Sequence, residues 1–254
     1  MVSPVRTVCA VVAASAALVA SSAAAGEPEW IRQFGTSLSA FSVDVAADGT
    51  VHVVGETGEK FYNTQKGSRD GFVISFDREG QELWRRQPGK LLHNSSAKGV
   101  ATDGDGNVYV VGNITEESLV STNPVSYDGF VIKLDRDGRN VWRRQLGTGL
   151  PSVSQQAEGV ATDASGNVYV AGVDLRQLGQ VFIIKFDRDG NELWNDGRDD
   201  IGTATLGSIK VATDTDGDVY LAGSASGYRD GDMGNPNARY YDAFLIKYGP
   251  DSPQ

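Results

Sequence analysis

Cysteine is nearly missing from this 254-residue chain: its single copy, Cys9, lies in an apolar stretch at the very start. The rest of the chain therefore has no disulfide, no thiol nucleophile and no thiolate metal site, and its stability must come from packing. Histidine is almost as scarce. His52 and His93 are the only two, neither falls in an H-E-x-x-H pattern, and no nucleophile elbow accompanies them, so no catalytic constellation is visible. Basic charge is also short, with 23 Lys and Arg against 33 Asp and Glu, a net charge of -10 that argues against gripping nucleic acid phosphates. After residue 25 no apolar run is long enough to cross a bilayer, and no stretch keeps a helical period, so neither a membrane span nor a helical core is expected.

The first 25 residues are of another kind. Arg6 gives a positive start, an Ala/Val-rich run follows, and Ala23-Ala24-Ala25 offers small residues for cleavage, which together predict a secretory signal peptide over 1-25. The protein is accordingly expected to be secreted: extracellular, at the cell surface or periplasmic.

What fills the remainder is repetition. VDVAADGTVHVVG begins at Val43, VATDGDGNVYVVG at Val100, VATDASGNVYVAG at Val160 and VATDTDGDVYLAG at Val211. Each is followed by a second block: DGFVISFD at Asp70, DGFVIKLD at Asp128, QVFIIKFD at Gln180 and DAFLIKY at Asp242. A fixed period of this length built from β-branched and aromatic residues predicts propeller blades of four short antiparallel strands. Asp-Gly and Ser-Gly pairs at 105-106, 137-138, 165-166, 189-190 and 216-217 mark tight hairpin turns, because glycine accepts the positive φ such turns require.

Tryptophan ends each unit, at Trp30, Trp84, Trp142 and Trp194. Trp30 precedes the first full unit, and the last copy stops at Tyr248 with no tryptophan strand of its own. The expected fold is an all-β, four-bladed β-propeller over 26-249, closed by the N-terminal strand completing the last blade, with a short polar tail at 250-254. The same pattern admits a second arrangement in which two chains share a larger ring; single-chain closure, and so a monomer, is the primary expectation.

The run G-V-A-x-D-x-x-G-N-V-Y-V-x-G, followed by D-G/A-F-V-I-K-x-D-x-D-G and a Trp, resembles the bacterial SBBP β-propeller repeat from Trp30 to Tyr248. That resemblance implies an exported bacterial protein with a binding role. The Asp-x-x-Gly-x-x-x-Trp run ending at Trp84, Trp142 and Trp194 is also similar to the docking motif of quinoprotein dehydrogenase propellers, but a vicinal cysteine pair is absent, and no cofactor is expected. The oxygen-rich turns at Asp103-Asn107 and Asp214-Asp218 have their glycine in the fourth place and no following Glu, so they read as hairpins rather than calcium loops, and no metal is expected. Arg85-Arg86 and Arg143-Arg144 read as charge guarding an exposed outer edge.

Function is sought in the connections that differ between copies: 56-69, 113-127, 173-179 and 224-241, all on one side of the ring. Lys60, Tyr62 and Arg69 in the first unit, with Tyr228, Arg229, Asp232, Tyr240 and Tyr241 in the last, combine aromatic area with hydrogen-bonding groups. Such a surface suits a saccharide or a surface protein. Asp44, where the other units carry Ala101, Ala161 and Ala212, is the candidate for the central channel. The expectation is a secreted binding module. The alternatives are a lyase or hydrolase in the central pocket, with Asp44 or a loop carboxylate as base and His93 assisting, and a passive surface protein.

Overall fold

A computed structural model describes residues 28-35, 37-58, 69-87, 94-117, 125-146, 155-175, 179-198, 203-204, 209-226 and 241-252. The chain divides into Met1–Ile31 and Arg32–Gln254. Within the first unit only 28-31 are described, as coil; everything below concerns the second.

Four antiparallel sheets of four strands follow one another along the chain. Sheet one is β1 (Leu38–Val45), β2 (Val51–Thr57), β3 (Asp70–Phe76) and β4 (Glu82–Arg86). Sheet two is β5 (Asn94–Thr102), β6 (Val108–Glu117), β7 (Val125–Leu134) and β8 (Asn140–Leu146). Sheet three is β9 (Gln155–Thr162), β10 (Val168–Asp174), β11 (Gln180–Phe186) and β12 (Glu192–Arg198). In sheet four the innermost strand is split into β13 (Thr203–Ala204) and β14 (Lys210–Thr213), both pairing β15 (Val219–Ser226), which pairs β16 (Tyr241–Tyr248). The all-β propeller architecture read from the repeats is thus present.

Local chemistry accounts for the repeat motif. In the β5-β6 turn, Asp103 Oδ1 accepts from the backbone N–H groups of Asp105 and Asn107, while Oδ2 accepts from Asn107 Nδ2 and from Tyr109 Oη at 2.9 Å. Asp163 does the same with Tyr169, and Asp214 with Tyr220. The lone pairs that would invite a cation are taken up in locking the turn to the next strand. The glycine closing each Val-Tyr-Val-Val-Gly run has its own reason: a Cβ on Gly112 would lie 2.0 Å from Ser96 O, beside the bulge between Ala97 and Gly99.

Neighbouring sheets share cores. Val54 and Val73 pack with Val108, Val110 and Phe130; Val111 and Val131 with Val168 and Phe182; Ile183 and Val181 with Val219 and Leu221. The inner strands touch in chain order, β1 on β5, β5 on β9 and β9 on β14. A hydroxyl relay runs along them: Thr213 Oγ1 donates to Thr162 O, Thr162 Oγ1 to Thr102 O, each at 2.7 Å, and Thr102 Oγ1 to Asp44 Oδ2 at 2.6 Å.

Two features differ from the sequence reading. Residues 28-35 form no strand, β16 pairs only β15, and no comparable packing joins β14 back to β1, so single-chain closure is not seen among the described residues. The connection expected at 113-127 is largely strand: β6 runs to Glu117 and β7 starts at Val125, with Thr115 opposite Tyr127 and Glu117 opposite Val125. Backbone pairing of Thr115, Glu116 and Glu117 with Tyr127, Ser126 and Val125 extends this hairpin despite its polar composition.

Candidate functional site

In sheets one to three the tight turns between the first two and last two strands lie on one side, and the second strand ends and the third begins on the other. On that second side, sheet one carries a cleft of about 550 Å³ lined by Gln33, Phe34, Gly35, Ser37, Leu38, Ser39, Glu56, Thr57, Gly58 and Arg69. Its apolar floor includes Phe34, whose ring lies 5.3 Å from that of Phe76 and packs with Leu38 against buried Phe72 and Ile74.

Arg69 stands at the rim on a firmly held backbone. Its N–H donates to Asn94 Oδ1 at 3.2 Å, its carbonyl accepts from Ser95 N–H at 3.1 Å, and Gly71 N–H donates to Ser95 Oγ at 2.9 Å, so 69-71 is zipped to the start of β5. The side chain is 69% exposed, and its Nη1 meets Glu56 Oε1 at 3.1 Å. An exposed pair of this kind contributes only about 0-1 kcal/mol, so either partner is available to a ligand at small cost. Behind Arg69, burial raises the Asp70 carboxyl above its ordinary range, and its Oδ1 has no hydrogen-bond partner among the described residues. The arrangement places a planar donor, a carboxylate and an apolar floor within one opening.

Of the other residues chosen from sequence, Lys60, Tyr62, Tyr228, Arg229, Asp232 and Tyr240 lie outside the described residues. Tyr241 belongs to a strand rather than a loop, opening β16 opposite Ser226. Asp44 lies on the inner strand, half-buried, its carboxylate engaged by Thr102. Glu56 was missed as a partner of Arg69, since only the β2-β3 register, with Glu56 opposite Gly71, brings the two together.

Register also creates a row in sheet one that sequence separation hides: Asp44, His52, Ser75 and Trp84 sit opposite one another across four strands. The equivalent rows are Ala101, Tyr109, Lys133, Trp142 and Ala161, Tyr169, Lys185, Trp194. Aspartate, histidine and serine in a row suggest a hydrolytic relay, but Ser75 is fully buried and His52 only 2% exposed. Ser75 Oγ and His52 Nδ1 both lack hydrogen-bond partners among the described residues, so the relay is not assembled. Burial holds the His52 imidazole below its ordinary range, and its ring packs on Trp84 at 5.6 Å, the place the tyrosines fill elsewhere. Among the described residues no cluster of three His, Cys, Asp or Glu side chains is placed to hold a metal, and no helix is long and apolar enough to cross a membrane.

The arginines of the outer strands do not simply guard an edge. Arg86 Nε donates to Gly138 O at 2.9 Å and Nη2 to Asp137 O at 3.0 Å; Arg144 repeats this on Gly190 O and Asp189 O at 2.8 and 3.4 Å. Trp84 and Trp142 donate to Arg136 O and Arg188 O in the same turns. Each tryptophan lies flat on a turn glycine, where a Cβ at Gly138 or Gly190 would come within 2.8 Å of the ring. The positive φ of these turns and this stacking both require glycine. The recurring W-x-R-Q was the available signal for this clamp.

Comparison with known proteins places the fold. A protein of unknown function from Dyadobacter fermentans shares 14% identity, over 78% of this chain and 59% of that one, with a TM-score of 0.54. The Hadza microbial sialidase Hz136 shares 12% identity over 84% of this chain and 45% of its own, also at 0.54. Quinohemoprotein alcohol dehydrogenase from Comamonas testosteroni aligns at 15% identity over 74% of this chain and 29% of its own, with a TM-score of 0.46. This chain thus spans less than two thirds of each, and at these identities the first two likenesses concern the fold alone. No curated protein matches the sequence. The family model described as outer membrane protein assembly factor BamB, a propeller-type repeat family, matches residues 69–231, more than half of the chain, and the protein belongs to that family.

Proposed function

We propose that this protein is an exported binding module, built of SBBP-like repeats, that recognises a polar partner through the side of its propeller carrying the β2-β3 connections. The observation that carries this reading is the cleft holding Glu56 and Arg69, whose backbone is fixed to β5 while its guanidinium faces solvent. Lys60, Tyr62, Tyr228, Arg229, Asp232, Tyr240 and Tyr241 are assigned to the same recognition surface, with the N-terminal segment as the outer strand that completes sheet four. The partner is a glycan or a protein of the cell surface, and the family's name, an outer membrane assembly factor, favours the protein. The excess of acidic residues agrees with export and with a partner other than nucleic acid.

The test is capture on a panel of envelope oligosaccharides and outer-membrane proteins by immobilised wild-type chain and by the double variant Glu56→Gln, Arg69→Ala. Loss of at least tenfold in affinity for whatever the wild type captures, at an unchanged melting temperature, is the expected result. Equal capture by both proteins overturns the proposal.

A further inference from the structure

The two ends of the array are complementary, and the geometry points to a second copy of this chain as the occupant of the open face of sheet four. The inference rests on the reading that the N-terminal segment completes that sheet, and it decides which copy supplies the segment.

The first end presents a finished donor. Arg32 Nε donates to Gly80 O at 2.7 Å and Nη2 to Glu79 O at 3.0 Å. This is the contact that Arg86 and Arg144 make, and both of those arginines stand on the outer strand of the sheet that comes before the turn they hold. Arg32 therefore occupies the outer-strand place of a sheet preceding sheet one, and no such sheet is present among the described residues.

The other end presents the matching vacancy. Leu245 is 71% exposed, whereas its equivalents Val73, Val131 and Ile183 are fully buried against the following sheet. Lys133 and Lys185 donate to the following turn at Arg188 O and Pro250 O, at 3.0 and 2.8 Å. Lys247, the same residue in sheet four, instead folds back to Asp218 and over the Tyr220 ring. On sheet one, Val43 is 61% exposed where Val100 is 6% exposed, so an apolar surface waits there also.

One chain does not satisfy both ends in this arrangement, because the packing that joins the other inner strands to one another is not found between β14 and β1 among the described residues. Two copies can, each giving its N-terminal segment to the other's β16 about a twofold axis. Two sets of four sheets make about eight, the upper end of the usual propeller range of about 4-8, which three copies would exceed. The repeat register sets the pairing. Val73 opposes Arg86 and Val131 opposes Arg144, so Leu245 opposes the second copy's Arg32 and Ile246 its Ile31.

The full chain should sediment as a dimer. With Cys9→Ala, the pair Ile31→Cys and Ile246→Cys in one chain should oxidise to a covalently linked dimer on a non-reducing gel. Leu245→Asp, at an exposed position, should raise the dimer dissociation constant at least 100-fold without altering far-ultraviolet dichroism. A monomeric wild type, an intrachain disulfide in the double-cysteine variant, or a dimer indifferent to Leu245→Asp each overturns the inference. A monomer that still captures its ligand on the Glu56 and Arg69 face would do so while leaving the recognition reading intact.

Discussion

Sheets two and three differ from sheets one and four in what lies on either side of them. In the two middle sheets the row from inner to outer strand runs Ala, Tyr, Lys, Trp: the tyrosine is tied to an aspartate, the lysine to the next turn, and every side chain but the half-buried Trp194 is buried. Sheet four keeps the sequence of that row in Ala212, Tyr220 and Lys247, yet Ala212 is exposed and Lys247 turns back on its own sheet. Sheet one loses the row itself, with Asp44, His52 and Ser75 in place, and Ala46 where the tyrosine's aspartate would be. The repeat sequence therefore specifies a sheet, but a following sheet is needed before the lysine and its neighbours find their partners.

The sharpest test of this contrast is Trp142→Ala. Trp142 is 8% exposed, packs on Tyr109 and Phe186 and bonds Arg188 O, so its removal should cost about 3-5 kcal/mol in urea unfolding. A loss under about 1 kcal/mol would mean that the sheets are held together by something other than these stacks. A smaller effect is expected from Arg144→Ala, which removes charged bonds to two carbonyls and should cost about 2 kcal/mol, while Arg143→Ala, exposed on the same strand, should change stability by no more than about 0.5 kcal/mol. Equal effects from the two would end the distinction between clamp and edge charge.

Repairing sheet one should bring the smallest change. Ala46→Asp with His52→Tyr restores the turn lock and should add about 1 kcal/mol, with a favourable coupling energy in the double-mutant cycle. It should also remove a pH response. Burial depresses the His52 pKa below its ordinary 6.5, so the unfolded chain takes up the proton first, and wild-type stability should be full above about 6.5 and fall as the pH drops below it. The repaired protein should lack that slope in thermal melts between pH 7 and 5.

Much of the fold was legible because its signals are local. Asp-Gly pairs fix hairpins, the Val-Tyr-Val alternation fixes strands, and the tryptophan spacing fixes the blade. The alternation of tight and variable connections along each unit was legible for the same reason. What escaped depends on register and on neighbours. Glu56 meets Arg69 only after β2 and β3 pair, and Arg86 leaves its own edge only because a turn from sheet two lies within reach. The long β6-β7 hairpin escaped because Thr115, Glu116 and Glu117 look like loop until Val125, Ser126 and Tyr127 are opposite them.

The clamps between sheets end on main-chain oxygens, those of Arg136, Asp137, Gly138, Arg188, Asp189, Gly190 and Pro250. A carbonyl is the same atom whatever side chain hangs beside it, so mutation at most of these turn positions leaves the junction's wiring untouched. Evolution is thereby free to rewrite the outward face of each unit one at a time, so long as the turn glycine under the tryptophan and the apolar side chains shared with the next unit are kept.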